Sequence, residues 1–511
     1  MIQPFSPPRV RGLEIVTGLH PGKEALMAIK TRDEYLASLK KLRPNVHKFS
    51  EKIDDVTTHP ATRRVVESHA RAYDGANDPG RSSLFTTPSV LTGEKIHRHN
   101  SLMQSAEDVT FNSKFKREMY RLTGTCTGAL CAGWNGMNTM WAVTQEVDGA
   151  LGTDYHERLR QWILRAESEG WTIAGALTDA KGNRSLKASQ QPDLDTNLRI
   201  ADLRENGIVL RGAKLMICGV AASNEIFLLP GTAYGEGDKD FAVACAVPRD
   251  VQGLTIVETR RPSDTREQEE GFDLPTETGI TQAYLIFEDV FVPQERVFLC
   301  REFAYTGKII QIFTAIYRAC IGACVAGQGD VMIGAAVLMA RANGIPARTF
   351  SSKFVEMAVN NETTFTMGVG SIALGSRHPS GIWIPDSLTA HANKIHVATL
   401  PYETKRLCQE IGGGIVETGC FPSYRDFMDA RYGPLVQKYI KAGACSPEAR
   451  ARAARLTEWL TLGAGVPGCM HGGGSPDGAR LVVRSLTPME KYAAMAKKLA
   501  GISEEIPEPG K

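Results

Sequence analysis

The order of secondary structure along the chain constrains its fold more than any other feature. Residues 171–300 hold six short β-rich runs, separated by Gly, Pro and Asp clusters: WTIAGALTD, GIVLRGAKLMI, NEIFLLPG, FAVACAVP, LTIVET and QAYLIFEDVFVP. Such runs favour an antiparallel barrel or sandwich. No helix of length interrupts them, which argues against a βαβ nucleotide-binding fold.

Helical patterns flank this β-rich block on both sides. Thr31 and Glu34 have the capping-box spacing, and Gly124 and Gly170 mark the ends of two later helices. After the β-rich block we predict helices over 302–343, 351–375, 386–412, 421–442, 447–463 and 486–500, as in an antiparallel bundle. A chain of 511 residues is too long for one core. We expect a helical domain (1–170), a β-barrel domain (171–300) and a helical bundle that also mediates oligomerisation (301–511).

Composition excludes several classes of function. The formal net charge is only +2, and Lys and Arg are scattered, so nucleic-acid binding is not expected. The most apolar stretch, 309–340, is interrupted by Arg318, Gln328 and Asp330, which favours a buried helix over a membrane span. The opening MIQPFSPPRVRG does not resemble a secretory leader. We therefore expect a cytoplasmic protein whose eleven cysteines are free thiols.

Two of those cysteines, Cys320 and Cys324, stand four positions apart in YRACIGAC. On a helix this spacing puts both on one face, as a metal or cluster site requires. The same pair could equally form a redox switch or fill a core.

Eight segments between residue 31 and about residue 500 carry a resemblance to a known family. They are TRDEYLASL, DDVTTHPATR, GTDYHERL, LTDAKGNRS, GIVLRGAK, SDTREQEEG, GQGDVMIGAA and MHGGGSP. Together they resemble the flavin-dependent 4-hydroxyphenylacetate 3-hydroxylase family, and within it most of all the 4-hydroxybutyryl-CoA dehydratase branch. The resemblance implies an α+β multidomain fold of the acyl-CoA dehydrogenase type. It also implies a homotetramer whose subunits share the FAD sites.

The resemblance implies a bound FAD and a set of residues that contact it. These are Thr178, Lys181, Gly182, Asn183, Arg184, Cys218, Gly412, Gly413, Gly474 and Ser475. The first five lie in the family's flavin loop, and the last two in MHGGGSP. Gly412 and Gly413 belong to QEIGGGIVETG, which resembles the turn that meets the dinucleotide end of FAD on another subunit. Cys218 stands where the family usually has a threonine, and a thiol is the weaker donor. Without the resemblance, these segments could be ordinary structural turns.

In the dehydratase branch, three cysteines and one histidine hold a [4Fe-4S] cluster beside the flavin. Matching the sequence to that branch puts Leu130, Trp134, Tyr317 and Cys324 at the four ligand positions. Cys131 is then one residue, or about 100° on a helix, out of register. We therefore expect no metal and no iron–sulfur cluster, with Cys320 and Cys324 as core thiols. The alternative is a rearranged site made of Cys126, Cys131, Cys320 and Cys324.

Without a cluster, the resemblance leaves flavin chemistry. It favours a monooxygenase that takes FADH2 from a separate reductase and uses oxygen on a small organic substrate, for example an aromatic one. The alternatives are a cluster-free acyl-CoA dehydratase, isomerase or dehydrogenase-like enzyme, and a catalytically inert flavin-binding homologue.

The family's phenol-contacting residues match Asn135 and Thr139 here, so 4-hydroxyphenylacetate itself is not the expected substrate. The expected pocket lining is Trp134, Asn135, Met137, Asn138, Tyr317 and Cys324. Tyr317 and His471 are the candidates for proton transfer, because a phenol can donate and a histidine can do both near neutral pH. Either could instead have a purely structural role.

Overall fold

A computed structural model of the chain describes residues 29–180, 182–261, 277–419, 421–441, 445–462 and 472–507. The helices before the β-rich block are α1 (Arg32–Lys40), α2 (Arg63–Asn77), α3 (Ser82–Phe85), α4 (Ala106–Thr123), α5 (Ala132–Leu151) and α6 (Tyr155–Glu169). Those after it are α7 (Thr306–Ala342), α8 (Ser351–Ala373), α9 (Ser387–Val397), α10 (Leu400–Gly412), α11 (Gly414–Glu417), α12 (Tyr424–Met428), α13 (Gly433–Ile440), α14 (Pro447–Thr461), α15 (Pro476–Leu486) and α16 (Met489–Leu499).

The strands follow the same chain order. They are β1 (Val46–Lys48), β2 (Glu51–Ile53), β3 (Thr86–Pro88), β4 (Lys95–His97), β5 (Ile173–Ala176), β6 (Arg199–Arg204), β7 (Gly207–Cys218), β8 (Glu225–Leu228), β9 (Val243–Pro248), β10 (Leu254–Glu258), β11 (Gln282–Pro293), β12 (Val297–Cys300), β13 (Ser376–Arg377) and β14 (Trp383–Ile384).

In the described part of the chain, the β-rich block forms two separate sheets and not one closed barrel. The larger has the order β2-β1-β10-β11-β7-β6, and the smaller β12-β9-β8-β5. Most neighbours are antiparallel, as expected, but β1 pairs with β10 and β5 with β8 in parallel. Strands β1 and β2 come from the segment assigned to the helical domain, so the larger sheet takes two strands from outside 171–300.

Helix α7 is the central helix of the C-terminal half. The stretch Phe303–Ala342 is long and apolar enough to cross a membrane, but 78% of its most apolar window is buried inside the fold. Its polar residues are bonded internally, since Arg318 Nε donates to Gly473 O (3.0 Å) and Gln328 Nε2 donates to Gly124 O (2.9 Å). A Cβ on Gly322 would lie 2.1 Å from Thr364 O, so glycine lets α8 approach closely. The stretch is therefore a core helix, as predicted.

Several apolar clusters hold the described helices. One joins α4, α5 and α6 to the first half of α7, and another joins α1 and α2 to the sheets. Smaller clusters join the second half of α7 to later helices. The predicted helix 386–412 is in fact two helices, because α9 ends at Val397 and Pro401 opens α10. Helix α15 was not predicted. Ser475 is its N-cap residue, and Ser475 Oγ accepts a hydrogen bond from Gly478 N.

Candidate active site where three segments meet

The loop before α5 meets the end of β7 at very short range. A Cβ on Gly128 would lie 2.4 Å from Cys218 Cβ, and one on Gly219 would lie 2.8 Å from His69 Nε2. His69 accepts a hydrogen bond from Ala129 N at 3.2 Å and donates from Nδ1 to the Val65 carbonyl at 2.7 Å. Burial lowers the pKa of His69 to about 4, so its imidazole is neutral. Its two hydrogen bonds link α2 to this loop. The contact places Cys126 beside Cys218.

Thiols and phenols surround this junction. Cys126 is hydrogen-bonded to Cys218 and to Tyr120, and Tyr317 lies among Cys131, Cys126 and Cys324. Burial raises the pKa of Tyr317 well above its ordinary value, so its phenol stays protonated. Cys126, Cys131, Cys218 and Tyr317 all keep part of their surface accessible. We call the space that these four side chains border the junction cavity.

Cys218 differs from the other thiols of the cavity. The hydrogen bond from Cys126 and a second one from Gln282 Nε2, 3.2 Å from Sγ, lower its pKa to about 7. The same interaction and burial raise the pKa of Cys126. At neutral pH, Cys218 is thus the thiol of this pair that ionises. All cysteines within the described ranges are free thiols, as expected.

A glycine-rich turn, residues 472–475, lies against the same part of α7. A Cβ on Gly473 would be 2.8 Å from Tyr317 Cδ1, and one on Gly474 would be 2.8 Å from Arg318 Nη2. Both glycines have positive φ (71° and 93°), so other residues would be strained there. The turn therefore brings Gly474 and Ser475 close to Tyr317. His471 and Lys181 lie outside the described residues.

The buried face of α4 supplies a cation to this region. Lys116 is 3% exposed, its Nζ stands 5.5 Å from the centroid of the Tyr317 ring, and Cys131 is its hydrogen-bond partner. One turn away, Asn112 Nδ2 donates to Asn135 Oδ1 at 3.3 Å, which leaves the buried Asn135 Nδ2 without a partner. We did not predict this wall, because a lysine on a helix is expected on its solvated face.

The predicted flavin loop runs beside β7, the strand that Cys218 ends. Leu215 N donates to Thr178 O at 2.8 Å. Beneath it, Lys214 Nζ lies 2.6 Å from Asp179 Oδ1, and the two side chains are 2% and 4% exposed. A Cβ on Gly182 (φ 45°) would lie 2.3 Å from Gln191 Oε1. Gly182, Asn183 and Arg184 are exposed, so the loop presents them outward from an anchored base.

Gly412 and Gly413 lie far from Tyr317 within one chain. Gly412 packs against Val416, and Val416 belongs to the same apolar cluster as Met339. Met339 follows Tyr317 by 22 residues on α7, roughly 33 Å along the helix axis. A single chain therefore does not bring these glycines and the turn 472–475 to the same part of one cofactor.

The predicted pocket residues of α5 are enclosed in the core. Trp134 Nε1 and Asn138 Nδ2 both donate to Ser101 O, at 2.7 and 3.0 Å, and Asn138 Oδ1 accepts from Met103 N at 2.8 Å. Cys324 is buried on α7, beside Cys131 and Tyr317. Cys324 therefore lies beside the groups that border the junction cavity.

The segment matched to two of the iron ligands is not the continuous helix that the match assumed. Helix α5 begins only at Ala132, and Cys131 (φ −134°, ψ −73°) follows a 3-10 turn at Gly128–Leu130. The register argument therefore does not apply, because Cys131 is not inside a helix. Cys131 interacts with both Cys324 and Lys116.

The gathered thiols still do not fit a cluster that takes three cysteines and a histidine. Cys126 is hydrogen-bonded to Cys218, Lys116 stands beside Cys131, and the resemblance puts Tyr317 at the position of the histidine. Across the described ranges, no three His, Cys, Asp or Glu side chains are placed to hold one metal ion.

Family models of 4-hydroxyphenylacetate 3-hydroxylase match nearly the whole chain, the N-terminal model over residues 31–299 and the C-terminal model over 306–501. The chain belongs to the 4-hydroxyphenylacetate 3-hydroxylase family. The family assignment made from the sequence is thereby confirmed.

Within this 4-hydroxyphenylacetate 3-hydroxylase family, the chain has similar relatives in two groups. It is 35% identical over 491 residues to the 4-hydroxybutyryl-CoA dehydratase/vinylacetyl-CoA-Δ-isomerase of Clostridium aminobutyricum, covering 93% of this chain and 100% of that protein. It is 26% identical over 453 residues to the oxygenase component of 4-hydroxyphenylacetate 3-monooxygenase from Thermus thermophilus, covering 85% and 88%.

Solved structures show the same two groups. An oxygen-tolerant archaeal 4-hydroxybutyryl-CoA dehydratase from N. maritimus matches with a TM-score of 0.90 at 35% identity, covering 95% of this chain and 97% of that one. The oxygenase component of 4-hydroxyphenylacetate 3-monooxygenase, complexed with FAD and 4-hydroxyphenylacetate, matches with a TM-score of 0.79 at 22% identity, covering 93% and 99%. The α+β fold is therefore the family fold.

Proposed function

We propose that the protein is an FAD-dependent enzyme that acts as an oxygenase component, taking reduced FAD from a separate reductase and using oxygen on a small organic substrate. The observation that carries the proposal is the junction cavity. It brings Cys218 from the sheet, Tyr317 from α7 and the turn 472–475 together. The family resemblance implies flavin contacts at Cys218 and at Gly474 and Ser475 of the turn. We further propose a homo-oligomer, since Gly412 and Gly413 lie too far from Tyr317 to join the same site within one chain.

The residues at the junction fit a flavin. Gly473 and Gly474 leave bare backbone where a side chain would collide with Tyr317 or Arg318. Gln282, Cys218 and Thr178 offer an amide, a thiol and a hydroxyl along the end of β7 as hydrogen-bonding groups for the ring edge. When bound, FAD would supply two-electron transfer and oxygen activation.

The protein side chains would supply the proton chemistry. Because burial keeps Tyr317 protonated, its phenol can donate a hydrogen bond or a proton inside the cavity. Cys218, with a pKa of about 7, can hold or release a proton at neutral pH. The buried amide of Asn135 is a further donor for orienting a substrate.

The test begins with purified protein, FAD, a flavin reductase and NADH. A panel of phenols and other small aromatic compounds is added, and products are analysed for the gain of one oxygen atom, with ¹⁸O₂ as label. Labelled product that depends on both protein and reductase supports the proposal. Binding of FAD without any labelled product across the panel would count against oxygenation.

A second candidate, an acyl-CoA enzyme, is favoured by a specific observation. The relative that matches at 35% identity over its whole length is a dehydratase acting on a CoA ester. A surface pocket of about 480 Å³ next to α2 has Arg32, Arg63, Arg64 and Arg71 in its lining, and guanidinium groups are the kind of cation that binds CoA phosphates. Glu67 and Glu277 line the same pocket and pair with Arg32 and Arg71, so a phosphate would have to compete with these carboxylates. Calorimetric titration with crotonyl-CoA and with free CoA separates the two candidates. Tight CoA binding would favour the second, and a protein that binds FAD but neither substrate class would be the inert homologue.

A further inference from the structure

Helix α4 buries a lysine side chain that is not ion-paired with a carboxylate of the described residues. Lys116 is 3% exposed, whereas the next residue, Arg117, is paired with Asp330 and Glu362. Within the part of the chain that the structure describes, no carboxylate lies within ion-pair distance of Lys116. An ammonium taken out of water is strongly destabilising unless an anion or several good acceptors compensate it.

The groups around Lys116 compensate its charge only in part. The face of the Tyr317 ring, 5.5 Å away, attracts a cation. Burial raises the pKa of Cys320 and Cys324, so these thiols are neutral at neutral pH. Cys131 is a further partner, through its hydrogen bond to the ammonium.

The position of this cation relative to the cavity suggests what it binds. Its two nearest partners, Cys131 and Tyr317, both line the junction cavity and both keep accessible surface. One turn along α4, the pair Asn112–Asn135 leaves a buried amide N–H₂ without an acceptor. Helix α4 and its contact with α5 thus hold a charged donor and a neutral donor, and an oxyanion accepts hydrogen bonds from donors of both kinds.

We propose that Lys116 binds an anionic oxygen of the substrate, a phenolate, carboxylate or enolate, inside the junction cavity. The inference rests on the proposed function only in taking this cavity as the substrate site. It narrows the substrate to compounds that carry, or develop, a negative oxygen next to their reacting carbon.

The experiment compares a probe anion with a neutral probe of similar shape. 4-Nitrophenolate and 4-nitroanisole are titrated into the full chain, with and without FAD, at a pH where the phenol is ionised, and binding is followed by probe absorbance. The variants are K116M and K116R, with K114M as the matched control, because Lys114 lies on the exposed face of the same helix. Benzoate and benzamide serve as a second pair.

We expect the wild type to prefer the anion of each pair and K116M to bind it about 10- to 100-fold more weakly, with little change for the neutral probe. K116R should keep part of the preference, and K114M all of it. If K116M does not fold, as judged by circular dichroism, K116Q takes its place. Equal affinity for anion and neutral probe in the wild type, no binding of any probe, or an unchanged preference in K116M overturns the inference.

Two further measurements identify other partners for the cation. If Lys116 serves only to ionise Cys131, K116M will slow the alkylation of Cys131 by iodoacetamide while the probe preference persists. If it serves reduced FAD, K116M will shift the flavin midpoint potential while the probe preference persists. Either result overturns the inference. FAD affinity is measured separately to distinguish two failures. A wild-type protein that does not bind FAD speaks against the proposed function. A wild-type protein that binds FAD but does not prefer the anion speaks only against the role of Lys116.

Discussion

The buried pair Lys214–Asp179 anchors the base of the predicted flavin loop, and removing its acid should destabilise that region strongly. In Asp179→Ala, Lys214 would lose its carboxylate partner, which lies 2.6 Å away. It would keep two carbonyl acceptors, Leu177 O and Leu229 O, both at 2.9 Å. Tyr234 Oη would also lose its acceptor. Breaking a buried pair on one side costs about 3–5 kcal/mol, and the retained carbonyls place our expectation near 3 kcal/mol.

The assay is a urea series followed by tryptophan fluorescence, with FAD affinity measured alongside. Because a chain of several domains need not unfold in one step, variants are compared with the wild type and not converted to absolute stabilities. The double variant D179A/K214M removes the stranded charge and should recover most of the loss. The exposed pair Arg211–Asp289 on the same sheet supplies the control D289N, for which little change is expected. A D179A protein as stable as the wild type, or a double variant less stable than D179A, would refute the reasoning.

Four other outcomes are expected. Arg184→Ala should weaken FAD binding by about 1.5–3 kcal/mol, since a charge-assisted contact is lost, while R184K keeps most of the affinity; equal affinity in all three proteins would mean that the loop is misplaced. Turnover at saturating FAD should fall by 10²–10⁴-fold in Tyr317→Phe or in His471→Ala, and if both variants retain more than about a third of the rate, neither acts in proton transfer. Anaerobically purified protein should contain no iron by metal analysis and no broad absorbance near 400 nm, and iron in cluster amounts would contradict the ligand argument made from Tyr317. Alkylation of Cys218 should accelerate as the pH rises through about 7, because the hydrogen bonds from Cys126 and Gln282 lower its pKa. In Gln282→Ala the pH midpoint of alkylation should move upward, and an unchanged midpoint would show that the amide does not act on the thiol.

Local signals in the sequence predicted local structure well. Thr31 and Glu34 form the capping box in the fold, and Gly124 ends α4 with φ 70°, as a left-handed cap requires. The β-rich runs all correspond to strands or lie within them, because alternation and turn residues act over a few positions. The family motifs extended this local evidence to the overall fold.

Features that depend on distant contacts could not be predicted. β1 pairs with β10 through Val46 and Ile256, more than two hundred residues apart, and no local pattern specifies that partner. The error at Cys131 arose because we assumed a continuous helix through a segment that begins with a 3-10 turn. Lys116 was missed because a lysine on a helix is expected on its solvated face, and only the packing of α4 against α7 shows otherwise.

Tyr317 and Met339 lie roughly 33 Å apart along α7. This separation predicts how two inactive variants would behave when their subunits assemble together. If the turn 472–475 and the glycines at 412–413 contact the same FAD, each must come from a different copy of the chain, so every subunit contributes half of two sites. A defect in Ser475 and a defect in Gly413 would then complement each other. When the two inactive variants are coexpressed, random assembly should restore about one site in four, because only a site built from the intact half of each variant is complete. Two variants whose defects lie in the same half of the site would restore no complete site when coexpressed.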